Sequence, residues 1–325
     1  MTDTVWSDLD IAGITAPPGT KRYAWLTVTE VWNGPFTVPL VMAHGRHPGR
    51  RLLLLAMHHG DEYDGFTSAH RLLAELDPEQ MHGSVVSIPC LNVPAFLSGA
   101  RQSIFDGLDL NRVHPGKERG FFAEQIAHFV TTRVIPGADC VIDLHGGNLN
   151  LQVVPYVGYG AWDRRALDLA RATAIPNLYP INEDRLQNTL GVTSRALGVP
   201  HLNVEAGGGL WGDEEIISTM VRAIRNVLRA LEIMSGTLDG LPERYFLRRS
   251  NMISSTTGGF FYAHVALGQR VPEGHALGRV VNLLNQEIET IVAPAAGFVQ
   301  DLKTTPRVWP GDWLVLLGEE EQAIS

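Results

Sequence analysis

The chain is poor in features that mark several whole classes of protein. Only 2 of its 325 residues are cysteine, which excludes a disulfide framework. Cys90 and Cys140 each border an apolar, strand-like run, so buried free thiols in a reducing cytoplasm are expected. Neither has a histidine in its local sequence to make it a nucleophile. Positive charge is scarce: 26 Lys and Arg stand against 35 Asp and Glu, a net charge of −9. A chain of that sign is not drawn to polyanions, so neither nucleic acid nor a membrane surface is an expected partner. A small anion held by a local group of arginines stays compatible with it. No apolar run approaches the roughly 20 residues that cross a bilayer. Met1–Asp8 has neither the basic nor the apolar segment of a signal peptide, and a cytoplasmic location is expected. Repeats and low-complexity stretches are missing too. What remains, 45% hydrophobic and 19% charged residues, is ordinary globular composition, and the length favours two domains.

Apolar runs alternate with helical periodicity through the first three quarters of the chain. Tyr23–Trp32 and Phe36–Ala43 read as strands around Asn33-Gly34, followed by buried strands at Leu52–Met57, Ser84–Cys90 and Ala138–His145. Phe66–Leu76, Phe121–Thr132, Trp162–Thr173 and Glu214–Ser235 carry helical spacing. Strands of this kind between helices predict an α/β sheet covered on both faces, with function at the carboxyl ends of its strands. Near Gly240 the pattern changes to short β-like runs between Gly and Pro turns. That predicts residues 1–243 as one domain and 244–325 as a small all-β domain with the rhythm of a barrel-sandwich module. Modules of that kind can carry a modified lysine in a hairpin, but Asn285–Glu289 has none, so a structural or capping role is expected.

The chemistry concentrates where apolar strands stop. Leu52–Met57 runs into His58-His59-Gly60-Asp61-Glu62, with an imidazole and a carboxylate three residues apart. Two histidines and one glutamate are a common ligand set for catalytic zinc, although a polar turn after a core strand would read the same way. His145 ends Val141-Ile-Asp-Leu-His and is followed by two glycines; it is a third candidate ligand or a structural histidine. Asp143, two residues earlier on the same strand face, can accept the other ring N–H of such a histidine or cap a turn. Asn111 and Arg112 offer donors and a planar fork suited to a carboxylate, with Arg101 ten residues before Asn111. Surface ion pairs are the alternative for the arginines. Glu205 ends His201–Glu205 and faces three glycines, a place for a general base or for a loop carboxylate.

Taken together, His59-Gly-Asp-Glu62, Asp109-Leu-Asn-Arg112 with Pro115-Gly116, Asp143-Leu-His145 and Val204-Glu205 resemble, in order, the pattern of the succinylglutamate desuccinylase/aspartoacylase family, relatives of the zinc carboxypeptidases. The resemblance spans about residues 20 to 235, and the β tail is similar to the family's C-terminal domain. Arg101 with Asp106-Gly-Leu-Asp-Leu-Asn-Arg112, and Glu205-Ala-Gly-Gly-Gly209, resemble most the branch that holds N-acetyl-diaminobutyrate deacetylase. Two positions depart from the pattern: His58 stands where a small polar residue is usual, and His114 where an aromatic precedes Pro-Gly. The first lets the ligand position slip by one. The second puts His114 either against substrate or in the aromatic's space.

The resemblance implies a carboxypeptidase-like three-layer mixed sheet and one zinc per chain on His59, Glu62 and His145. It implies Glu205 as general base, Asn111 and Arg112 on the substrate carboxylate, and Arg101 polarising the scissile carbonyl. The expected activity is hydrolysis of the amide of a small N-acylated amino acid. A metallocarboxypeptidase and a non-catalytic amino-acid-binding protein are the alternatives. The acyl group is not legible. Tyr156, Tyr159, Asn188 and Arg195, in the segment between His145 and Glu205, are candidates to line its pocket. Subunit pairing through the Trp-containing tail is left open.

Overall fold

The structure is a computed structural model and describes residues 6–182, 187–209, 212–240 and 245–322. In chain order it contains β1 (Leu9–Ile11), β2 (Ile14–Ala16), β3 (Thr20–Val31), β4 (Gly34–His44), β5 (His47–Ala56), α1 (Tyr63–Glu75), β6 (His82–Ile88), α2 (Val93–Ser98), α3 (Phe122–Phe129), β7 (Cys140–His145), β8 (Leu151–Gly160), α4 (Arg164–Ala172), β9 (Asn177–Ile181), α5 (Leu190–Ala196), β10 (His201–Gly208) and α6 (Glu214–Ala230). The rest is β: β11 (Tyr245–Ser254), β12 (Gly259–Ala263), β13 (Arg270–Val271), β14 (Ala276–Val281), β15 (Glu287–Val292), β16 (Gly297–Lys303), β17 (Arg307–Val308) and β18 (Trp313–Gln322). Among the described residues no helix is long and apolar enough to cross a membrane.

Among the described residues, twelve strands form one mixed sheet in the order β13-β16-β18-β11-β9-β8-β10-β7-β5-β6-β4-β3. Its centre, β10, β7, β5 and β6, is parallel. Side chains on a strand alternate between faces, and β5 shows why so apolar a run is needed. Leu52, Leu54 and Ala56 enter a core beneath α1, α4 and α6, while Leu53 and Leu55 enter a second core beneath α3. A strand covered on both faces has no solvent side on which to place polar residues. Chemistry is therefore displaced to its end. α6 and α4 start where side-chain oxygens take up free amides: Asp213 accepts from Glu215 and Ile216, and Asp163 from Arg165.

The predicted boundary at 243/244 lies outside the described residues. Beyond it the chain forms two layers. One is the four-stranded sheet β15-β14-β12-β17. The other is hydrogen-bonded into the main sheet: β11 runs parallel to β9, and β16 pairs with β8 through Asp301 opposite Val153. The β rhythm after Gly240 is present, but its continuity with the catalytic sheet was not indicated by the sequence. The strand β8, flanked by β10 and by β9 and β16, was also missed. Its sequence, Leu151-Gln-Val-Val-Pro-Tyr-Val-Gly-Tyr-Gly160, is broken by Pro and Gly and does not alternate cleanly.

Candidate active site

β5, β7 and β10 are neighbours and parallel, so their carboxyl ends open on one side. β5 stops at Ala56, and Met57 adopts φ +56°, a left-handed conformation uncommon for a residue with a side chain. The chain turns there and presents His58 and His59. Gly60 then passes so close to α2 that a Cβ would lie 2.0 Å from the Ala95 carbonyl carbon. His145 ends β7, and Glu205 on β10 is its partner in register. Glu62 sits at the N-terminal border of α1, yet its side chain caps no helix amide. It turns instead to two imidazoles, with Oε1 2.7 Å from His59 Nδ1 and Oε2 2.9 Å from His145 Nδ1.

The hydrogen bonds around these groups set their protons. A carboxylate accepts only, so Asp143 takes the His145 Nε2–H at 2.8 Å and the His58 Nδ1–H at 2.8 Å. Asp109 takes the His59 Nε2–H at 3.2 Å. His59 Nδ1 and His145 Nδ1 then converge on the Glu62 carboxylate, where a bare lone pair on either nitrogen would face an acceptor. Three acceptors facing one another are unfavourable unless a positive charge stands between them. Burial works against the Glu62 carboxylate, but His59 and His145 outweigh it and hold its pKa below the usual range. Burial likewise opposes charge on both imidazoles. Glu62 with Asp109 nevertheless raises the pKa of His59, and Asp143 with Glu62 raises that of His145 well above normal. The site thus calls for a cation, and its nitrogen and carboxylate donors suit zinc.

Among the described residues, two groups have donor atoms close enough to hold a metal ion: His59, Glu62 and His145, and His58, Asp143 and His145. In the second group Asp143 is already satisfied by two ring N–H groups, and the His58 and Asp143 side chains are fully buried. Only the first opens on a cavity. His58 faces away from it, with Nε2 accepting from His114 Nε2–H at 3.3 Å. His114 is 1% exposed and absent from the cavity wall, which places it in the aromatic's space, behind the site.

The cavity holds about 320 Å³. Arg101, Asn111, Arg112 and Glu205 all line it. Arg101 is anchored by Asp109 Oδ2 at 3.0 Å and lies 3.5 Å from Glu62 Oε1. The amide of Leu190 donates to Asn111 Oδ1 at 2.9 Å, and Arg112 donates to the Asn111 carbonyl at 2.8 Å. Glu205 accepts from Asn203 Nδ2 at 3.0 Å. Burial raises its carboxyl pKa, and Glu62 adds to the rise against the pull of His145. Of the suggested pocket residues, Tyr156 and Arg195 line the cavity; Tyr159 is buried in the core and Asn188 is not on the wall.

Sequence reasoning missed several residues here. His201 and Asn203 share the face of Glu205, and their period of two along β10 was a readable signal. Asp109 was present in the motif without a role. Asp301 and Trp313, from the C-terminal strands, also line the cavity. A lone carboxylate in Gly297-Phe-Val-Gln-Asp-Leu302 was the only hint of the first.

Known proteins share this chain's sequence pattern and fold. Residues 48–231 match the family model described as the succinylglutamate desuccinylase/aspartoacylase catalytic domain. The chain is 28% identical over 303 residues to N-alpha-acetyl-L-2,4-diaminobutyric acid deacetylase of Halomonas elongata, covering 90% of this chain and 88% of that one. Among solved structures it resembles the product-bound ectoine utilization protein EutE of Ruegeria pomeroyi, with a TM-score of 0.84, 26% identity, and 93% and 97% of the two chains covered. A succinylglutamate desuccinylase/aspartoacylase from Rhodobacter sphaeroides gives a TM-score of 0.82 at 25% identity, with 94% and 96% covered.

Proposed function

The chain belongs to the succinylglutamate desuccinylase/aspartoacylase family, and from that membership and its site we propose that it is a zinc-dependent deacylase of small N-acylated amino acids. The observation that carries the reading is the convergence of His59 Nδ1, His145 Nδ1 and the Glu62 carboxylate beside Glu205 in one cavity, with each imidazole braced through Nε2 by an aspartate. One zinc ion per chain on those three residues would polarise the amide carbonyl and bring the pKa of water toward neutrality. Asn111 and Arg112 hold the substrate carboxylate and so fix the amide over the site. Glu205, made more basic by burial, takes a proton from the attacking water as the C–O bond forms. It then returns that proton to the nitrogen as the C–N bond breaks, releasing a carboxylic acid and a free amino acid. Arg101, braced by Asp109, donates to the carbonyl oxygen as it gains charge.

A metallocarboxypeptidase would use the same residues. The cavity walls contributed by Asp301 and Trp313 favour small substrates over a polypeptide. Two buried free cysteines suit the cytoplasmic location proposed with this activity. The test is elemental analysis together with turnover of acetyl, succinyl and aspartyl-type substrates. About one zinc per chain is expected in the parent and none in His59→Ala. Glu205→Gln is expected to keep the metal and to lose about 10²–10⁴-fold in kcat. Full activity in Glu205→Gln, or zinc retained without His59, would refute the assignment.

A further inference from the structure

Asp301 is a carboxylate without a counterpart. It lies on β16 between β8 and β18, opposite Val153 on one side and Leu316 on the other. Its side chain lines the cavity while the residue is only 8% exposed, and Oδ1 is buried with no hydrogen-bond partner. Among the described residues no arginine, lysine or histidine is ion-paired to it. Lys303, two residues along the strand, is engaged by Asp312 at 3.3 Å. The cavity's arginines are placed elsewhere: Arg101 on Asp109, Arg112 on the Asn111 carbonyl, and Arg195 over the Trp162 ring at 4.6 Å.

The surroundings of Asp301 fit a cation. Glu205 raises its negative potential, and Tyr156, opposite Glu205 in register, feels both acids. Tyr156 and Tyr179 meet edge to face at 6.2 Å and share the cavity with Trp313. Aromatic faces attract ammonium groups, and a buried carboxylate supplies the charge they lack. Burial and Glu205 push the Asp301 carboxyl up to about 8, as expected where negative charge goes uncompensated.

Resting on the deacylase reading above, we infer that Asp301 selects the substrate by receiving an ammonium group carried on the side chain of the acylated amino acid. The α-carboxylate is then held at Asn111 and Arg112 while the side-chain ammonium reaches Asp301 among the aromatic rings. An ammonium group stabilises the ionised form of Asp301, whereas an acidic side chain would find no cation there and would be buried beside a second acidic group. Substrate choice in this chain is thereby assigned to a residue beyond the 48–231 segment that defines the family.

The experiment compares Nα-acetyl-2,4-diaminobutyrate with Nα-acetylnorvaline, which has a methyl group in place of the ammonium, and with Nα-acetylaspartate. The parent is expected to favour the first by about 30-fold or more in kcat/KM over each of the others. In Asp301→Asn that ratio should collapse toward one, and Asp301→Glu should recover part of it. Calorimetric titration of free 2,4-diaminobutyrate and norvaline into the zinc-loaded parent and Asp301→Asn reads the same preference without turnover. A parent that hydrolyses all three but does not prefer the cationic one overturns the inference and leaves the deacylase reading intact. So does an Asp301→Asn protein with the parent's ratio. A parent that turns over neither these nor the succinyl and aspartyl-type substrates overturns the deacylase reading; the titration then decides the ammonium site alone, and equal binding of the two amino acids would overturn it.

Discussion

Replacing Asp143 by Asn would expose how far the proposed metal site depends on a residue outside its ligand set. The Asp143 side chain is fully buried, and its two oxygens accept from His58 Nδ1 and His145 Nε2, each at 2.8 Å. Asn offers one acceptor and one donor in the same shape. If its NH2 faces His145, Nε2 must lose its proton and Nδ1 must gain it. The lone pair directed at Glu62 is then gone. If the NH2 faces His58, the proton shift passes along His58 to His114, and His145 keeps its orientation but loses an ionised partner. Either outcome weakens the imidazole as a ligand. Loss of such a carboxylate–histidine contact costs about 10–100-fold in metal affinity. A buried hydrogen bond to a charged group contributes about 1.5–3 kcal/mol to stability as well. The assay is zinc affinity by competition with a chromophoric chelator, beside urea unfolding of the metal-free protein. Affinity within twofold of the parent would refute the reasoning. So would a loss confined to stability.

Two further predictions concern protons. Burial holds the His114 pKa down to about 3, well below its unfolded value near 6.5. Between those values only the unfolded chain binds the proton, so stability is complete above about pH 6.5 and falls as pH drops toward 3, by on the order of 1.4 kcal/mol per unit for this one group. Urea unfolding of metal-free His114→Phe between pH 7 and 5 should show a slope shallower by that amount; an unchanged slope would remove His114 from the account. Burial pushes the Cys90 thiol up to about 12 and raises Cys140 as well. Neither should react with iodoacetamide at pH 8 in the folded protein, as read by mass spectrometry, while both should react in urea.

The parts of the site that were legible in the sequence lie next to a change of pattern. His59, Glu62, His145 and Glu205 each follow an apolar strand, because a strand buried on both faces leaves polar chemistry only its end. Their order gave the family, and parallel pairing of β5, β7 and β10 brought them together. Asn203 was readable by alternation but was absorbed into an apolar description of its strand. Asp301 was not readable by any local rule. Its meaning depends on β16 pairing with β8, nearly half the chain away, and no spacing within either segment encodes that register. The same holds for the two layers after Gly240: turn residues mark the strands, but which of them joins the main sheet is decided by edges that only the folded chain provides.

That pairing also has a consequence in time. Synthesis proceeds from the N-terminus at about 5–20 residues per second. The strands that carry His59, Glu62, His145 and Glu205 emerge long before β16, which is roughly 150 residues behind β8. During that interval the growing chain holds the reactive groups without the wall bearing Asp301 and Trp313, and β9 waits for β11 with an open edge. A half-made polypeptide therefore carries the proposed catalytic residues without the wall that the C-terminal strands supply. With Asp301 selecting the substrate as inferred above, selectivity would be the last property the nascent chain acquires.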